Sequence, residues 1–569
     1  MKYIVPILLG LLSVTHSATA GNLDPKKPNV MILYFDDMGY GDVGKYQLTD
    51  SKYTEKNGFL KQADKSLTPN LDDFAAQGVK YNHAHSASGV CTPSRYALLT
   101  GEYAWRTELK RGVTWGYSPT MMKPGTETIA SMLKKQGYQT AMVGKWHIGM
   151  QFYDFDGKRA MGLKNNADIL ETKAIDFSKP LTETPYHAGF DYFFGTAASL
   201  DMPPYAWIES NSKTNKVHVL SKGAVTSGDD VDFSQATIAN NSDFFEGPVK
   251  SIKVWTRKGV QDPSFVLADY MEVQAAKVKQ LVAGYKKNDK PFFMYIPMPA
   301  PHTPHTVQPQ FDGVTGFTYG DYLVQTDYYA GQVIDALGDP NDPSSLASNT
   351  IVLITSDNGP EVVAQKESLE NSHDPNGPLR GVKRDNWEGG TRVPFLVRWP
   401  NKITPRETDQ LVWQGDFMAT VADHINSPYL QQIPDAKSFL SNLTGQSNDK
   451  RQRPGVIEHS VGGQFAIIEP NGVWKLIDGR HGGGLNYSWD YNNNRFTMPK
   501  GKQPKTQQLF NLALDPGETN NLLVDDPENP YDDHEPTQTA LMWAEKLNQG
   551  LLQIRGANKK GEKGTSFQF

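Results

Sequence analysis

The chain has 569 residues, of which 38% are hydrophobic and 21% are charged. This composition supplies a large apolar core and excludes a disordered chain, while the length predicts a globular protein of two parts rather than one small domain. The formal net charge of -6 gives no basic surface that would indicate a nucleic-acid partner.

Residues 1–20 have the pattern of an export signal. Lys2 provides a positive start, residues 4–12 form an apolar run too short to span a bilayer, and residues 18–20 form a small-residue cleavage site. A buried first strand is the alternative, and the lack of a comparable apolar stretch further on argues against it. We therefore expect a mature protein that begins near Gly21, lies in the periplasm or outside the cell, and has no membrane span.

Two apolar runs predict strands that are buried on both faces of a parallel sheet. Residues 30–35 form the first and residues 351–354 the second, and polar side chains follow both runs. Ligands of open α/β sheets bind outside the carboxyl ends of strands. Taken singly, each polar group would indicate a turn or a helix cap. On neighbouring strands they would bring four oxygen donors together, which fits Ca²⁺, and Mg²⁺ less well, and argues against zinc. The four residues are Asp36, Asp37, Asp357 and Asn358.

Helices and strands alternate between these two runs. Residues 68–78 have Thr at the helix cap, Pro at the first position and Gly just after the end, and residues 126–135 repeat the design before Gly137. Apolar strands are predicted at residues 140–143 and 292–296. This alternation predicts an α/β fold with a doubly wound sheet flanked by helices.

Cys91 is the only cysteine of the chain, so it cannot form an internal disulfide. The plain alternative is a small buried hydrophobic side chain. In the segment Cys-Thr-Pro-Ser-Arg-Tyr-Ala-Leu-Leu-Thr-Gly, however, Pro93 suits the first turn of a helix and places Cys91 at a helix N-terminus. Free backbone N–H groups at such a position favour an anion.

Residues 91–101 resemble the C-x-P-S-R and L-T-G signature of the type I sulfatases, a family of the alkaline-phosphatase-like superfamily. The resemblance implies that the large sheet is mixed and that a maturation enzyme converts Cys91 to Cα-formylglycine. It also implies one Ca²⁺ per chain. The implied ligands are Asp36, Asp37, Asp357, Asn358 and the formylglycine side chain of Cys91.

Two further motifs carry the resemblance. Gly-Lys-Trp-His-Ile-Gly follows a predicted strand, and on its own it would indicate a solvated loop. The resemblance implies that Lys145 contacts sulfate and that His147 steadies the formylglycine hydroxyl. Pro-His-Thr-Pro-His follows another predicted strand, and on its own it would equally be a loop stiffened by proline. The resemblance assigns His302 to the leaving-group oxygen, and His305 is a weaker candidate for substrate contact.

Lys383 lies in a segment that resembles the late lysine loop of the family, Leu-Arg-Gly-Val-Lys followed by Trp-Glu-Gly-Gly-Thr-Arg-Val-Pro. The resemblance assigns this lysine to sulfate binding. The segment departs from the family at Val382, where a small residue is usual, and at residues 384–386, where Arg-Asp-Asn replaces a stretch like Gly-Thr-Thr. These departures bear on the shape of the loop and not on the lysine.

The implied reaction is hydrolysis of a sulfate monoester, an anion that resists nucleophiles. One hydroxyl of the hydrated formylglycine attacks sulfur and expels the alcohol, and loss of a proton from the other hydroxyl then ejects sulfate. In the family His147 assists this second step, and His302 favours departure of the alcohol. Arg95 and Asp37 help to hold the diol. The ester oxygens are neutralised by Ca²⁺ and by three cations, Arg95, Lys145 and Lys383.

The chain divides into a catalytic α/β domain, expected over residues 21–450, and a smaller C-terminal α+β domain over residues 451–569. Residues 464–468 and 473–477 predict antiparallel strands around a Pro-Asn-Gly turn, so an antiparallel sheet is expected there. Residues 508–522 resemble the closing motif of sulfatases, a strand and a turn before a final helix.

The substrate is the least determined feature. Asp201 and Tyr205, with an insert at residues 210–262, are predicted to form the rim of the cleft, where both side chains could contact a sugar. A structural loop fixed by proline is the alternative. Export and the polar, aromatic-rich insert favour a sulfated oligosaccharide or polysaccharide, so a role in sulfated polysaccharide degradation is expected.

Several functional classes stay open beside this carbohydrate sulfatase. They are an arylsulfatase acting on small aryl sulfates, a phosphodiesterase or phosphonate monoester hydrolase of the same superfamily, and an inactive carbohydrate-binding relative. Six side chains of the implied machinery argue against the inactive relative: Cys91, Arg95, Lys145, His147, His302 and Lys383.

Overall fold

The structure is a computed structural model that describes most of the chain between residues 27 and 555. The predicted export signal and most of the predicted insert at residues 210–262 lie outside the described residues. The described residues are 27–47, 66–159, 175–177, 179, 181–211, 217–220, 237–239, 256–257, 259–262, 265–446, 455–479, 481–484, 488–490, 495–497, 507–523 and 536–555.

The regular elements are numbered in chain order. The strands before residue 450 are β1 (Asn29–Asp36), β2 (Val79–Tyr81), β3 (Ala84–His85), β4 (Gln139–Lys145), β5 (Tyr192–Thr196), β6 (Trp207–Asn211), β7 (Val217–Leu220), β8 (Thr237–Ala239), β9 (Gly259–Gln261), β10 (Phe292–Pro301), β11 (Thr350–Ser356), β12 (Phe395–Arg398), β13 (Arg406–Thr408) and β14 (Val412–Trp413). The helices are α1 (Pro69–Ala75), α2 (Cys91–Thr100), α3 (Ile129–Lys135), α4 (Tyr270–Tyr285), α5 (Thr318–Asp335), α6 (Val362–Glu370), α7 (Glu388–Thr391), α8 (Asp416–His424) and α9 (Leu440–Leu443).

One large sheet organises this part of the chain, with the strand order β13-β2-β12-β11-β1-β10-β4-β5-β6-β7. β1 lies in its middle and runs parallel to both neighbours, so that Leu33 is opposite Ile354 of β11 and Ile296 of β10. β12 and β6 run antiparallel to β11 and β5. The sheet is therefore mixed, and the predicted fold class is confirmed.

Side chains of β1 alternate between two apolar layers, one on each face of the sheet. Helices α4 and α5 contribute to the first layer, and α2, α3 and α8 contribute to the second. Because both faces are covered, β1 needs a continuous apolar run rather than an alternating one. The first layer contains Met31, Leu33 and Phe35, and the second contains Val30, Ile32 and Tyr34.

The helix boundaries follow local capping chemistry. α2 begins at Cys91, as predicted, and ends at Thr100. Gly101 follows the helix with a φ of 63°, which suits a residue without a side chain. The predicted start of α3 at Thr126 is wrong, because the hydroxyl of Thr128 accepts the hydrogen bond from the Ser131 N–H and caps the helix two residues later. Within the described part of the chain, no helix combines the length and the apolarity that crossing a membrane requires.

The C-terminal part contains a second, smaller sheet of order β15-β16-β17-β20, antiparallel throughout. Ile467 lies opposite Leu476, so the two predicted strands pair as expected. The elements are β15 (Val456–His459), β16 (Phe465–Ile468), β17 (Trp474–Ile477), β18 (Ser488–Asp490), β19 (Arg495–Thr497), β20 (Gln508–Asn511) and α10 (Gln538–Arg555), which packs on β16 and β17. The predicted antiparallel C-terminal sheet is confirmed.

Candidate active site

The carboxyl ends of β1 and β11 meet at one edge of the large sheet. Asp36 is the last residue of β1, and Asp37 follows it with a φ of 65°. The Asp37 N–H donates to Oδ1 of Asp357, 3.1 Å away, just beyond the end of β11. Asn358 donates from Nδ2 to Oδ1 of Asp37 at 2.7 Å. All four residues are at most 1% exposed, so they form a buried oxygen cluster.

Three cations from other elements reach this oxygen cluster, one for each carboxylate. α2, the end of β4 and the loop before α7 supply them. Nη2 of Arg95 lies 2.8 Å from Oδ2 of Asp357. Nζ of Lys383 lies 2.7 Å from Oδ2 of Asp37. The charges of the three pairs therefore balance inside the protein. The pairs are Arg95 with Asp357, Lys145 with Asp36, and Lys383 with Asp37.

Cys91 lies in the same cluster, at the start of α2. Its Sγ is 3.5 Å from Oδ1 of Asp36. One ligand atom each of Asp36, Asp37, Cys91 and His302 can be chosen so that all lie within 4.8 Å of one another. Burial and the negative charge of Asp357 raise the pKa of the Cys91 thiol well above its usual value. The unmodified thiol is therefore uncharged at neutral pH and a poor nucleophile.

His147 is buried beside this cluster with one defined tautomer. Its Nε2 is 2.9 Å from the carbonyl oxygen of Thr114, and because a carbonyl only accepts, Nε2 carries the hydrogen. Its Nδ1 is 3.4 Å from the hydroxyl of Ser199. Burial and the positive charges of Lys145 and Arg95 lower the pKa of His147 well below its usual value. The ring is therefore uncharged at neutral pH and can accept a proton at Nδ1.

Two histidines follow β10, and they lie in different surroundings. His302 donates from Nδ1 to the carbonyl oxygen of Thr303, and its Nε2 is 3.6 Å from Oδ2 of Asp37. Since Nδ1 is engaged, Nε2 is the nitrogen that faces the oxygen cluster. His305 is buried against two tyrosine rings of α5. Its Nε2 has no hydrogen-bond partner among the described residues.

The donor set of the oxygen cluster fits a hard divalent cation. Asn358 donates from Nδ2 to Asp37 and to the carbonyl oxygen of Gly359. Its Oδ1 is buried and has no hydrogen-bond partner within the described residues. A buried acceptor without a donor is costly unless something positive meets it. Carboxylate and amide oxygens are the donors that Ca²⁺ takes in proteins, so the residues present fit the predicted ion.

The surrounding charges shift the pKa values of Asp36 and Asp357 in opposite directions, and repulsion from another carboxylate acts on Asp357. Burial alone would raise the pKa of Asp36, but the charges of Lys145 and His302 hold it well below its usual value. Burial and the negative charge of Asp36 raise the pKa of Asp357 to about 6, while Arg95 opposes this rise. A bound divalent cation would relieve this repulsion.

The two predicted rim residues lie on the loop that follows Ser199, and both contact Arg257. Asp201 is 7% exposed and forms an ion pair with the Arg257 guanidinium. Tyr205 is 1% exposed and donates from its hydroxyl to the carbonyl oxygen of Arg257 at 2.6 Å. Neither side chain contributes an atom to the buried oxygen cluster.

A charged pair at the edge of the cluster escaped the sequence prediction. Arg384 donates from Nη1 and Nη2 to the two oxygens of Glu361, at 2.6 and 2.7 Å. Oε2 of Glu361 is 3.9 Å from Nζ of Lys383. Two features of the sequence could have drawn attention to this pair. Arg384 departs from the family pattern, and Glu361 lies three residues after Asn358.

A second buried ion cluster joins residues from the part of the chain around the large sheet to the C-terminal sheet. Nζ of Lys475, on β17, is 2.8 Å from Glu388, 3.0 Å from Glu458 and 3.3 Å from Glu518. Nε2 of His85 is 3.2 Å from Glu388. All five side chains are fully buried. They come from distant segments, so no local pattern of the sequence indicated this cluster.

Known proteins resemble the chain over most of its length. A family model described as Sulfatase matches residues 28–427. An N-acetylgalactosamine-6-O-sulfatase of Bacteroides thetaiotaomicron is 29% identical over 92% of this chain and 96% of that protein. Arylsulfatase A of Homo sapiens is 28% identical over 77% of this chain and 72% of that protein. A solved structure from work on the metabolism of multiple glycosaminoglycans by Bacteroides thetaiotaomicron has a TM-score of 0.69 and 27% identity, and covers 93% of this chain and 99% of that chain.

Proposed function

This chain belongs to the sulfatase family of the alkaline-phosphatase-like superfamily, and from that premise we propose that it releases inorganic sulfate from a sulfated oligosaccharide or polysaccharide. Its enzyme class is that of a sulfuric ester hydrolase. The observation that carries the carbohydrate assignment is the similarity to the N-acetylgalactosamine-6-O-sulfatase, which is 29% identical over 92% of this chain and 96% of that protein. The solved structure from work on glycosaminoglycan metabolism supports it, with a TM-score of 0.69 over 93% of this chain.

Two groups supplement the side chains in this proposal. Asp36, Asp37, Asp357 and Asn358, with the side chain at position 91, would hold Ca²⁺. When present, the ion supplies positive charge next to the ester oxygens. Formylglycine at position 91 would supply a hydroxyl that attacks the sulfur atom of the ester, and a second hydroxyl whose deprotonation lets sulfate leave. The maturation enzyme that would convert Cys91 is a further proposed partner. The burial of Sγ beside Asp36 supports a place for this nucleophile among the ion's ligands.

The cations of the site bind the sulfate ester. Arg95, Lys145 and Lys383 are each paired with a carboxylate, so the protein groups alone carry no excess charge. With a divalent cation held by these residues the site would be positive, which would favour binding of the anionic sulfate monoester. Lys145 and Lys383 come from separate elements, so they can meet different oxygens of one sulfate.

Two histidines handle protons at defined atoms in this proposal. His147 is uncharged and accepts a proton at Nδ1, because its Nε2 is held by the Thr114 carbonyl oxygen. His302 faces the departing alcohol oxygen with Nε2, because its Nδ1 donates to the carbonyl oxygen of Thr303. To act as the acid, the ring carries a hydrogen on both nitrogens; it gives the one on Nε2 to the alcohol oxygen and keeps the one on Nδ1. In this proposal His302 serves the departure of the alcohol, and His147 serves the later release of sulfate.

Export, the domain division and the substrate rim belong to the same proposal. Residues 1–20 would direct the chain to the periplasm or the exterior, where sulfated glycans are found. The catalytic domain would span residues 21–450 and the smaller domain residues 451–569. The candidate contacts to sugar outside the sulfate site are Asp201, Tyr205 and His305.

Sulfate release tests the proposal directly. The purified, Ca²⁺-loaded protein is incubated with sulfated mono- and oligosaccharides, 4-nitrophenyl sulfate and phosphonate monoesters. Ion chromatography measures the sulfate released from the sulfate esters and the phosphonate released from the phosphonate monoesters. Mass spectrometry of the peptide that contains Cys91 checks that the aldehyde is present. Faster sulfate release from at least one sugar than from the aryl ester supports the proposal. Turnover of phosphonate esters or aryl sulfate alone, by fully modified protein, contradicts it.

A further inference from the structure

We infer that Arg384 and Glu361 form a subsite for the sugar that carries the scissile sulfate, in which Arg384 donates hydrogen bonds to neutral oxygens of that sugar. The inference rests on the proposed function and extends it from the sulfate group to the alcohol part of the substrate. The ligand chemistry is that of sugar hydroxyl, ring or acetamido oxygens.

The position of the pair relates it to the sulfate site. Both oxygens of Glu361 accept from Arg384, at 2.6 and 2.7 Å, which is a bidentate ion pair. One of these oxygens is 3.9 Å from Nζ of Lys383, and that nitrogen is 2.7 Å from Asp37. Two side chains, those of Glu361 and Lys383, therefore connect Arg384 to Asp37 of the oxygen cluster.

The exposure and the donor count of Arg384 indicate what it can bind. Its side chain is 24% exposed, whereas that of Lys383 is 6% exposed. A guanidinium has five N–H donors, and Glu361 uses two of them. Within the described part of the chain, the other three N–H donors of Arg384 have no hydrogen-bond partner. An edge residue with unused donors beside the sulfate site is placed to meet oxygens of the bound alcohol.

The net charge of the Arg384–Glu361 pair determines which kind of ligand oxygen Arg384 can bind. Burial alone would raise the pKa of Glu361, but Arg384 and Lys383 lower it, so the carboxylate is charged. The positive charge of Arg384 is therefore cancelled by its own partner. What the pair offers to a ligand is directed N–H donors without net charge, which suits a hydroxyl or carbonyl oxygen better than a second sulfate or a carboxylate.

The backbone holds Arg384 in a conformation that favours glycine. Its φ is 87°. Its N–H donates to the carbonyl oxygen of Gly89 at 2.6 Å, and its carbonyl oxygen accepts from the Val461 N–H at 3.2 Å. Gly89 lies two residues before Cys91, and a Cβ on it would lie 2.5 Å from the Asp385 carbonyl oxygen. A strained residue persists where its surroundings hold it, and such residues cluster at ligand sites.

Binding to protein that cannot turn over tests the inference. In a Cys91→Ser background, the dissociation constants of N-acetylgalactosamine 6-sulfate and of inorganic sulfate are measured by calorimetry in the presence of Ca²⁺. We expect the sugar ester to bind more tightly than inorganic sulfate. Arg384→Met should lower the ratio of the two affinities by about 10- to 100-fold, as expected for lost charge-assisted hydrogen bonds. Arg384→Lys should lower it less, because the charge beside Glu361 remains while the planar fork is lost.

Arg555→Met provides the matched control. Arg555 is 26% exposed and lies 3.6 Å from Asp478 in the C-terminal domain, so the change removes a similar arginine from an acidic partner. It should leave the affinity ratio unchanged, and thermal unfolding checks that every variant is folded. If Arg384→Met does not fold, the measurement on Arg384→Lys decides.

Two results would overturn the inference: equal binding of the sugar ester and inorganic sulfate by the parent protein, or an unchanged ratio in the folded Arg384 variants. Sulfate release by the modified wild-type protein is measured separately. If release from every sugar fails while binding still depends on Arg384, the proposed function fails and the subsite stands.

Discussion

Arg95 and Asp357 connect the start of α2 to the end of β11 across 262 residues of sequence. Nε and Nη2 of Arg95 both donate to Oδ2 of Asp357, at 3.0 and 2.8 Å, and both side chains are fully buried. The other oxygen of Asp357 accepts from the Asp37 N–H. One carboxylate thus fixes the helix that carries Cys91 relative to both strand ends.

Replacing Cys91 by serine should abolish sulfate release while leaving the fold intact. The hydroxyl of serine is similar in size to the thiol, so the packing at the start of α2 is kept. We expect a loss of at least about a thousandfold in kcat, which is typical for removal of a nucleophile. Ion chromatography measures the rate, and thermal unfolding checks the fold. Undiminished turnover by Cys91→Ser would contradict the proposed mechanism.

Lys383→Met should reduce kcat/KM for the sulfated substrate by about 100- to 1,000-fold, because a cation that meets the developing charge is lost. Lys383 is buried and bonded to Asp37 at 2.7 Å, so its charge acts at short range. Lys290→Met, at an exposed position, serves as the control and should leave kcat/KM within a factor of two. Equal kcat/KM values for the two variants would show that Lys383 does not bind the sulfate group.

Calcium should stabilise the protein through the oxygen cluster. After removal of metal with a chelator, adding Ca²⁺ at about 100 times its dissociation constant should stabilise the fold by about 2.7 kcal/mol. Asn358→Ala should weaken this effect, because it removes the buried Oδ1 that lacks a hydrogen-bond partner among the described residues. The control is Asp342→Asn, which alters an exposed acid. Calorimetric unfolding gives the comparison, and identical Ca²⁺ responses of both variants would exclude Asn358 as a ligand.

Lys475→Met should destabilise the fold by about 3 to 5 kcal/mol, because three buried carboxylates lose their shared cation. The control is Lys134→Met, which breaks a pair with Asp191 at 2.7 Å whose side chains are 40% and 31% exposed. An exposed pair contributes at most about 1 kcal/mol. Urea unfolding measures both variants. A similar small loss of stability in the two variants would show that the buried cluster around Lys475 does not stabilise the fold.

His459 should make the fold less stable in mild acid. Burial lowers the pKa of His459 to about 4 in the folded protein, whereas the unfolded value is about 6.5. Between these values the unfolded chain binds the extra proton, so stability falls as the pH is lowered from about 6.5 to about 4, by up to about 3 kcal/mol. His459→Gln should lose this part of the pH dependence. Denaturant unfolding at pH 4.5, 5.5 and 7 measures the free energy of unfolding of the wild-type protein and of His459→Gln. The same pH dependence of this free energy in both proteins would refute the prediction.

The sequence determined the strands and the residues at their ends. A strand buried on both faces requires a continuous apolar run, so β1 and β11 were recognisable locally, as were Asp36 at the end of β1 and Asp357 just beyond β11. The start of α2 at Cys91 was recognisable because proline in the first turn is a local signal. The shift of the α3 start from Thr126 to Thr128 shows the limit of such signals, since two threonines offered equivalent caps.

Tertiary structure alone decided which charges meet. Glu361 pairs with Arg384 across 23 residues, and Lys475 meets Glu388 across 87. No periodic pattern encodes these contacts, because each depends on how separate loops and the two sheets pack together. Local patterns record which faces must be buried, whereas the partner of a buried charge is chosen by the packing of segments that are distant in sequence.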